Sequence, residues 1–201
     1  MVPYSFLALG DSYTIGESVA ETERFPAQTV QLLRNKGIAI NDAKIVATTG
    51  WTTDELEKGI REARITGTFD LVTLLIGVNN QYRGRSLEEY REQFTQLLQQ
   101  AIDFAGHRPS HVVVLSIPDW GVTPFAADRD RAAIAREIDA FNAANKAIAA
   151  AQGVHWLDIT AYTREAVQDA SLVAADGLHP SGKDYARWAA DLAALSAHIL
   201  H

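Results

Sequence analysis

Residues 5–12 read Ser5-Phe6-Leu7-Ala8-Leu9-Gly10-Asp11-Ser12. Ser5 opens an apolar run that a Gly-Asp turn closes. An apolar run of this length, without alternation, is what a strand buried on both faces looks like. Similar runs recur at 44–47, 71–76, 111–117 and 154–159. The segments between them carry helical period. Pro26 opens a helix that runs to about Lys36 and stops at Gly37. Thr52-Thr53-Asp54-Glu55 is a capping box and starts a helix carrying Leu56, Ile60 and Ala63. Ser86-Leu87-Glu88-Glu89 is a second such box, with Leu87, Tyr90, Phe94, Leu97 and Ala101 on one stripe. Pro118 stops the fourth strand, and 118–128 is irregular. An Ala-rich helix then aligns Ile134, Ile138, Phe141 and Ile148. A last helix over about 181–200 turns Tyr185, Trp188, Leu192 and Leu195 inward. Five strands alternating with helices predict an α/β fold: a three-layer α/β/α sandwich around a five-stranded, mostly parallel sheet.

Composition bounds the chemistry. The chain has 201 residues, which predicts a single domain over 1–201. It has no cysteine, so disulfides, thiolate metal sites and a cysteine nucleophile are excluded. The formal charge of −7 and the lack of a basic stripe argue against a nucleic-acid partner. The longest apolar runs, 71–78 and 112–117, fall far short of the ~20 residues that span a bilayer. The N-terminus lacks the basic start of a signal peptide, so a cytoplasmic protein is expected. No G-x-G-x-x-G, G-x-x-x-x-G-K-[ST] or H-E-x-x-H motif occurs, which counts against nucleotide and metal chemistry. No cofactor and no metal are expected.

In open parallel sheets the ligand sits at the carboxyl ends of the strands. Gly10-Asp11-Ser12 follows the first strand and Gly50-Trp51 the second. Gly77-Val78-Asn79-Asn80 follows the third. Asp176-Gly177-Leu178-His179-Pro180 lies between the fifth strand and the last helix. No block is specific alone: a lone Gly-Asp-Ser or Asp-Gly is usually just a turn. Ser12 alone reads first as a helix cap; for Gly50 a turn glycine and for Asn79 a left-handed turn residue are the equal alternatives. The ordered set at successive strand ends resembles the SGNH hydrolases, the GDSL-type esterases and lipases. The resemblance spans residues 6–180 and implies their flavodoxin-like arrangement.

Ester hydrolysis needs an activated nucleophile, a proton carrier and donors for a developing oxyanion. Ser12 is the candidate nucleophile. His179 is the candidate base, because an imidazole exchanges protons near neutral pH. Asp176, three residues earlier, can return its carboxylate to that ring on a tight turn. His107, His111, His155, His198 and His201 have no acid at that spacing. The resemblance implies that Ser12 N–H, Gly50 N–H and the Asn79 amide form the oxyanion hole. Asn80 departs from the family pattern, which often has Asp there. Asp11 reads as a residue that binds turn amides.

Trp51, Asn80, Tyr82, Trp120, Phe125 and Leu178 are candidate substrate contacts. Packing beneath a loop is the equal alternative for each aromatic. Gln81 and Arg83 could meet a polar leaving group, and a solvated loop is the alternative for Arg83. The expected activity is a serine esterase acting on small or short-chain acyl groups of small-molecule esters, acetylated carbohydrates included. Lysophospholipase, thioesterase and a non-catalytic ligand-binding module are the alternatives.

Overall fold

The computed structural model describes residues 2–200; His201 lies outside them. Five strands are present: β1 (Phe6–Asp11), β2 (Lys44–Thr48), β3 (Leu71–Leu74), β4 (Val112–Leu115) and β5 (His155–Leu157). All pairings are parallel, in the order β2-β1-β3-β4-β5. That is the flavodoxin-like order, with its switch point at β1 and β3. The helices are α1 (Ser12–Ile15), α2 (Phe25–Asn35), α3 (Thr53–Ala63), α4 (Val78–Tyr82), α5 (Leu87–Phe104), α6 (Arg131–Ala151), α7 (Thr160–Arg164) and α8 (Gly182–Ile199).

Right-handed crossovers put α2 on one face and α3, α5 and α6 on the other. The last helix, α8, closes the first face by packing on α2. The central strands β1, β3 and β4 are buried at every position, whereas the edge strands β2 and β5 are not. That is why the central runs are continuously apolar: both faces meet helices. Tyr90, Phe94 and Leu97 of α5 are buried, as are Tyr185, Trp188 and Leu192 of α8. Among the described residues, no helix is long and apolar enough to cross a membrane.

Several local expectations need correction. Gly10 and Asp11 are not a turn: they complete the β1 ladder opposite Ala47 and Thr48. Ser12 therefore starts α1 directly from the strand end. Ala63 is exposed, and Gly59 takes the buried place on α3. The Thr52 capping box is complete, with both reciprocal bonds present. The second box is only half formed. Ser86 Oγ accepts from Glu89 N at 3.1 Å, but the Glu89 carboxylate pairs with Arg85 instead of returning to Ser86. A guanidinium offers a charged partner, which outweighs one neutral amide.

Candidate active site

The carboxyl ends of β1, β2 and β3 meet at one edge of the sheet. There Ser12 opens α1, and Asp11 caps it by accepting Tyr13 N–H at 3.0 Å. His179 comes from the opposite side, on a small hairpin before α8. In it Val173 bridges Pro180, and His179 O accepts from Ala174 N at 2.7 Å. Asp176 folds this turn upon itself. Its Oδ1 accepts from Leu178 N at 2.9 Å and His179 N at 3.0 Å. This bends the three-residue spacing back, so that Asp176 Oδ2 lies 2.6 Å from His179 Nδ1. His179 Nε2 in turn lies 3.0 Å from Ser12 Oγ. Ser12 is 3% exposed and His179 7%. Tyr13 packs on the imidazole, with ring centroids 4.9 Å apart.

Burial acts to raise the Asp176 pKa. Hydrogen bonds from the His179 ring, Leu178 N, His179 N and Ser18 Oγ outweigh it and hold the pKa down to about 2. Asp176 is therefore a carboxylate throughout the neutral range. Ser18 is a residue that sequence reading missed. It has φ +65°, a left-handed conformation uncommon for serine. Its hydroxyl donates to Asp176 Oδ2 at 2.8 Å, the same oxygen that faces the imidazole. Glu17 beside it bonds Thr49, tying this loop to the Gly50 turn.

Asn79 sits in the first turn of α4 because Gly77 has φ +134°. A Cβ on Gly77 would stand 2.6 Å from the Tyr90 ring. Only glycine combines that dihedral with that contact. The Asn79 amide donates to Trp51 O at 3.0 Å and reaches Asp11 Oδ2 at 3.5 Å. Gly50 has φ +83°, and Arg83 Nη2 donates to its carbonyl at 2.5 Å. The N–H groups of Ser12 and Gly50 donate to no protein acceptor among the described residues. Ser12, Gly50 and Asn79 thus follow the carboxyl ends of β1, β2 and β3.

A cavity of about 140 Å³ opens over Ser12 and His179. Asn79, Tyr82, Trp120, Phe125 and Leu178 line it, as read from the sequence. The aromatic wall is mutually packed: Tyr82 meets Trp120 edge-on at 5.2 Å, and Phe125 lies 6.0 Å from Trp120. Trp51 and Asn80 are not among the lining residues. The Trp51 indole packs over Gly59 of α3, where any Cβ would collide with it, and only its carbonyl turns to Asn79. Asn80 is wholly buried and ties α4 to the start of α3. Its Oδ1 accepts from Thr53 N at 3.1 Å, and its Nδ2 donates to Thr53 Oγ1 at 2.8 Å. Because the Thr53 hydroxyl donates to Gln93, it can only accept from residue 80, which suits an amide better than an acid. Arg83 likewise serves the scaffold, bridging Gly50 O and Glu55. Gln81 is buried between Trp120 Nε1 and Glu137. Of the other histidines, His107 does meet an acid, Asp103, at 3.1 Å, but on an exposed helix end.

Asp11 is 0% exposed, and burial pushes its pKa up to about 7, against the opposing hydrogen bond from Tyr13 N–H. The folded protein thus holds this proton more tightly than the unfolded chain. The resulting stability is full below pH 3.8 and is lost as pH rises through about 7. From pH 5 to pH 8 the expected loss is roughly 2–3 kcal/mol. Asp11→Asn keeps the cap and removes the titration. Urea unfolding at the two pH values should therefore show a smaller loss in the variant. Equal losses in both proteins would mean that Asp11 is already ionised at pH 5.

Residues 8–187 match the model of the GDSL-like lipase/acylhydrolase family. The search of curated proteins gave no match. Several solved structures are similar. A lipase from a goat rumen metagenome has TM-score 0.77 at 17% identity, covering 96% of this chain and 97% of that one. A lipase/acylhydrolase from Enterococcus faecalis has TM-score 0.74 at 18% identity, covering 98% and 95%. An acetylxylan esterase from Geobacillus stearothermophilus has TM-score 0.69 at 20% identity, covering 98% and 94%. At such identities the likeness is one of fold.

Proposed function

The chain belongs to the GDSL-like lipase/acylhydrolase family, and from that premise we propose that it is a serine esterase that hydrolyses carboxylic esters of small acyl groups. One observation carries this reading. The Ser12–His179–Asp176 chain, with links of 3.0 Å and 2.6 Å, opens into an apolar cavity of only about 140 Å³. Sites for drug-sized ligands run to roughly 300–1,000 Å³. This cavity suits an acetyl or similarly short acyl group.

In this mechanism Ser12 Oγ attacks the ester carbonyl carbon, and its proton passes to His179 Nε2. Asp176 accepts from Nδ1–H, which fixes the tautomer and balances the imidazolium charge. The carbonyl oxygen becomes an oxyanion, facing Ser12 N–H, Gly50 N–H and the Asn79 amide. Collapse breaks the bond to the alcohol oxygen, which takes the proton from His179 and leaves an acyl-Ser12 ester. Water then attacks that ester. His179 takes its proton and returns it to Ser12 as the carboxylic acid departs.

p-Nitrophenyl esters of rising chain length test the reading. The kcat/KM is expected to peak between acetate and butyrate and to fall at least tenfold by octanoate. A rate that keeps rising towards decanoate would show a long-chain lipase instead. No turnover of any ester in the series would point to a binding module.

A further inference from the structure

An ester has two halves, and the cavity over Ser12 holds one of them. Two residues of its wall, Tyr82 and Trp120, also line a second, larger groove of about 420 Å³. The groove runs between α4 and the start of α6, and it is floored by Ala133 and Ile134. Its hydrogen-bonding groups are Gln81, Arg129, Asp130 and Glu137. Tyr82 is 46% exposed although its ring packs against Trp120 and Phe125, so part of this side chain stays open at the junction.

On the basis of the esterase reading above, we propose that this groove is the leaving-group subsite and that it takes a polyhydroxylated alcohol, such as a sugar ring. Three features select that chemistry. Two carboxylates face one guanidinium, so the groove is net negative and disfavours a phosphate or carboxylate headgroup. Arg129 forms no ion pair among the described residues, and Asp130 uses one oxygen to cap α6 at Ala133 N, 2.9 Å away. Glu137 uses one oxygen on the Gln81 amide, 2.7 Å away. The remaining carboxylate oxygens accept from hydroxyl groups and the guanidinium donates to them, which a plain alkyl alcohol cannot exploit. The exposed part of Tyr82 offers an aromatic surface to the C–H groups on one side of a sugar ring. Glu137 also connects inward, through Gln81, to Trp120 Nε1 at 2.7 Å, so groove and acyl cavity share one hydrogen-bonded wall.

The experiment compares a monoacetylated methyl glycoside with ethyl acetate, which presents the same acyl group without hydroxyls. The expected kcat/KM ratio favours the glycoside at least tenfold. Glu137→Ala is expected to lower that ratio several-fold. Ala133→Trp, which fills the groove from α6 without removing a polar group, is expected to lower it about tenfold. A wild-type ratio near one, or a ratio that neither variant changes, overturns the proposal. Binding of the free methyl glycoside to Ser12→Ala protein, followed by NMR titration, tests the groove apart from turnover. Shifts confined to α4 and the start of α6 support it, and their absence at saturating sugar overturns it. Failure of wild-type protein to hydrolyse p-nitrophenyl acetate counts against the esterase reading, and the titration still decides the groove.

Discussion

Ser12→Ala is expected to lower kcat for p-nitrophenyl acetate by roughly 10⁴–10⁶-fold, with the fold unchanged. The size follows from how the three side chains are linked. A nucleophile that works as a unit with its base takes almost the whole covalent route with it when removed. What stays is the positioning and oxyanion stabilisation of a residual water reaction, about 10³–10⁴ over solution. Removal of one buried hydroxyl should leave the core intact, since Ser12 Oγ bonds only His179 Nε2 among the described residues. Two measurements separate the outcomes. Stoichiometric labelling by an organophosphonate should occur in the parent and vanish in Ser12→Ala. Circular dichroism and the unfolding midpoint should stay close to the parent values. A variant that keeps more than about 1% of the turnover, or labelling that persists, would remove Ser12 from the mechanism.

The parts of this site that could be read from sequence share one property: each is local. A strand buried on both faces writes itself as a continuous apolar run, and its carboxyl end is marked by the next Gly, Asp or Asn. That local grammar locates Ser12, Gly50 and Asn79 after strand ends; the Asp176–His179 turn, which lies beyond α7, stands out only within the ordered set that resembles the SGNH hydrolases. The missed features are pairings across long sequence separations. Ser18 reaches Asp176 over 158 positions, and nothing near Ser18 announces it. The stretch 160–175 has no strong period, yet it folds as α7 and short turns. Arg164 of α7 pairs with buried Asp119 at 2.9 Å. Thr163 Oγ1 accepts Asp119 N–H at 3.1 Å. These contacts fix the loop that carries Trp120 and Phe125, so the cavity wall depends on an element without a sequence signature. Trp51 and Asn80 were misplaced for a related reason. An aromatic or amide after a strand end looks the same whether it faces a ligand or a neighbouring helix. The deciding partners, Gly59 and Thr53, lie on α3.

Asn79→Ala is expected to lower kcat by about 10²–10³-fold, equivalent to about 2.7–4 kcal/mol of lost transition-state stabilisation. The loss should fall on kcat more than on KM, because the amide meets full negative charge only as the tetrahedral oxyanion forms. The resting geometry explains how such a donor is kept ready. Trp51 O engages the Asn79 amide at 3.0 Å and holds its plane. Its other neighbour, Asp11 Oδ2 at 3.5 Å, is at the limit of a hydrogen bond and competes weakly for the remaining N–H. An oxyanion beside Ser12 N–H and Gly50 N–H offers that N–H a charged acceptor in place of the distant one. Asn79→Asp sharpens the test. It nearly preserves shape but replaces the donor with a carboxylate beside buried Asp11 and the developing charge. It should therefore be at least as inactive as Asn79→Ala at pH 8 and should recover partly as acid neutralises it. Gly77→Ala disturbs the same donor from beneath, since its Cβ would press on Tyr90 and shift α4. That variant should lose stability together with rate, whereas Asn79→Ala should lose rate with little change in unfolding midpoint. If Asn79→Ala retained the parent kcat and raised only KM, the amide would be a ground-state substrate contact. The oxyanion hole would then consist of the two backbone donors alone.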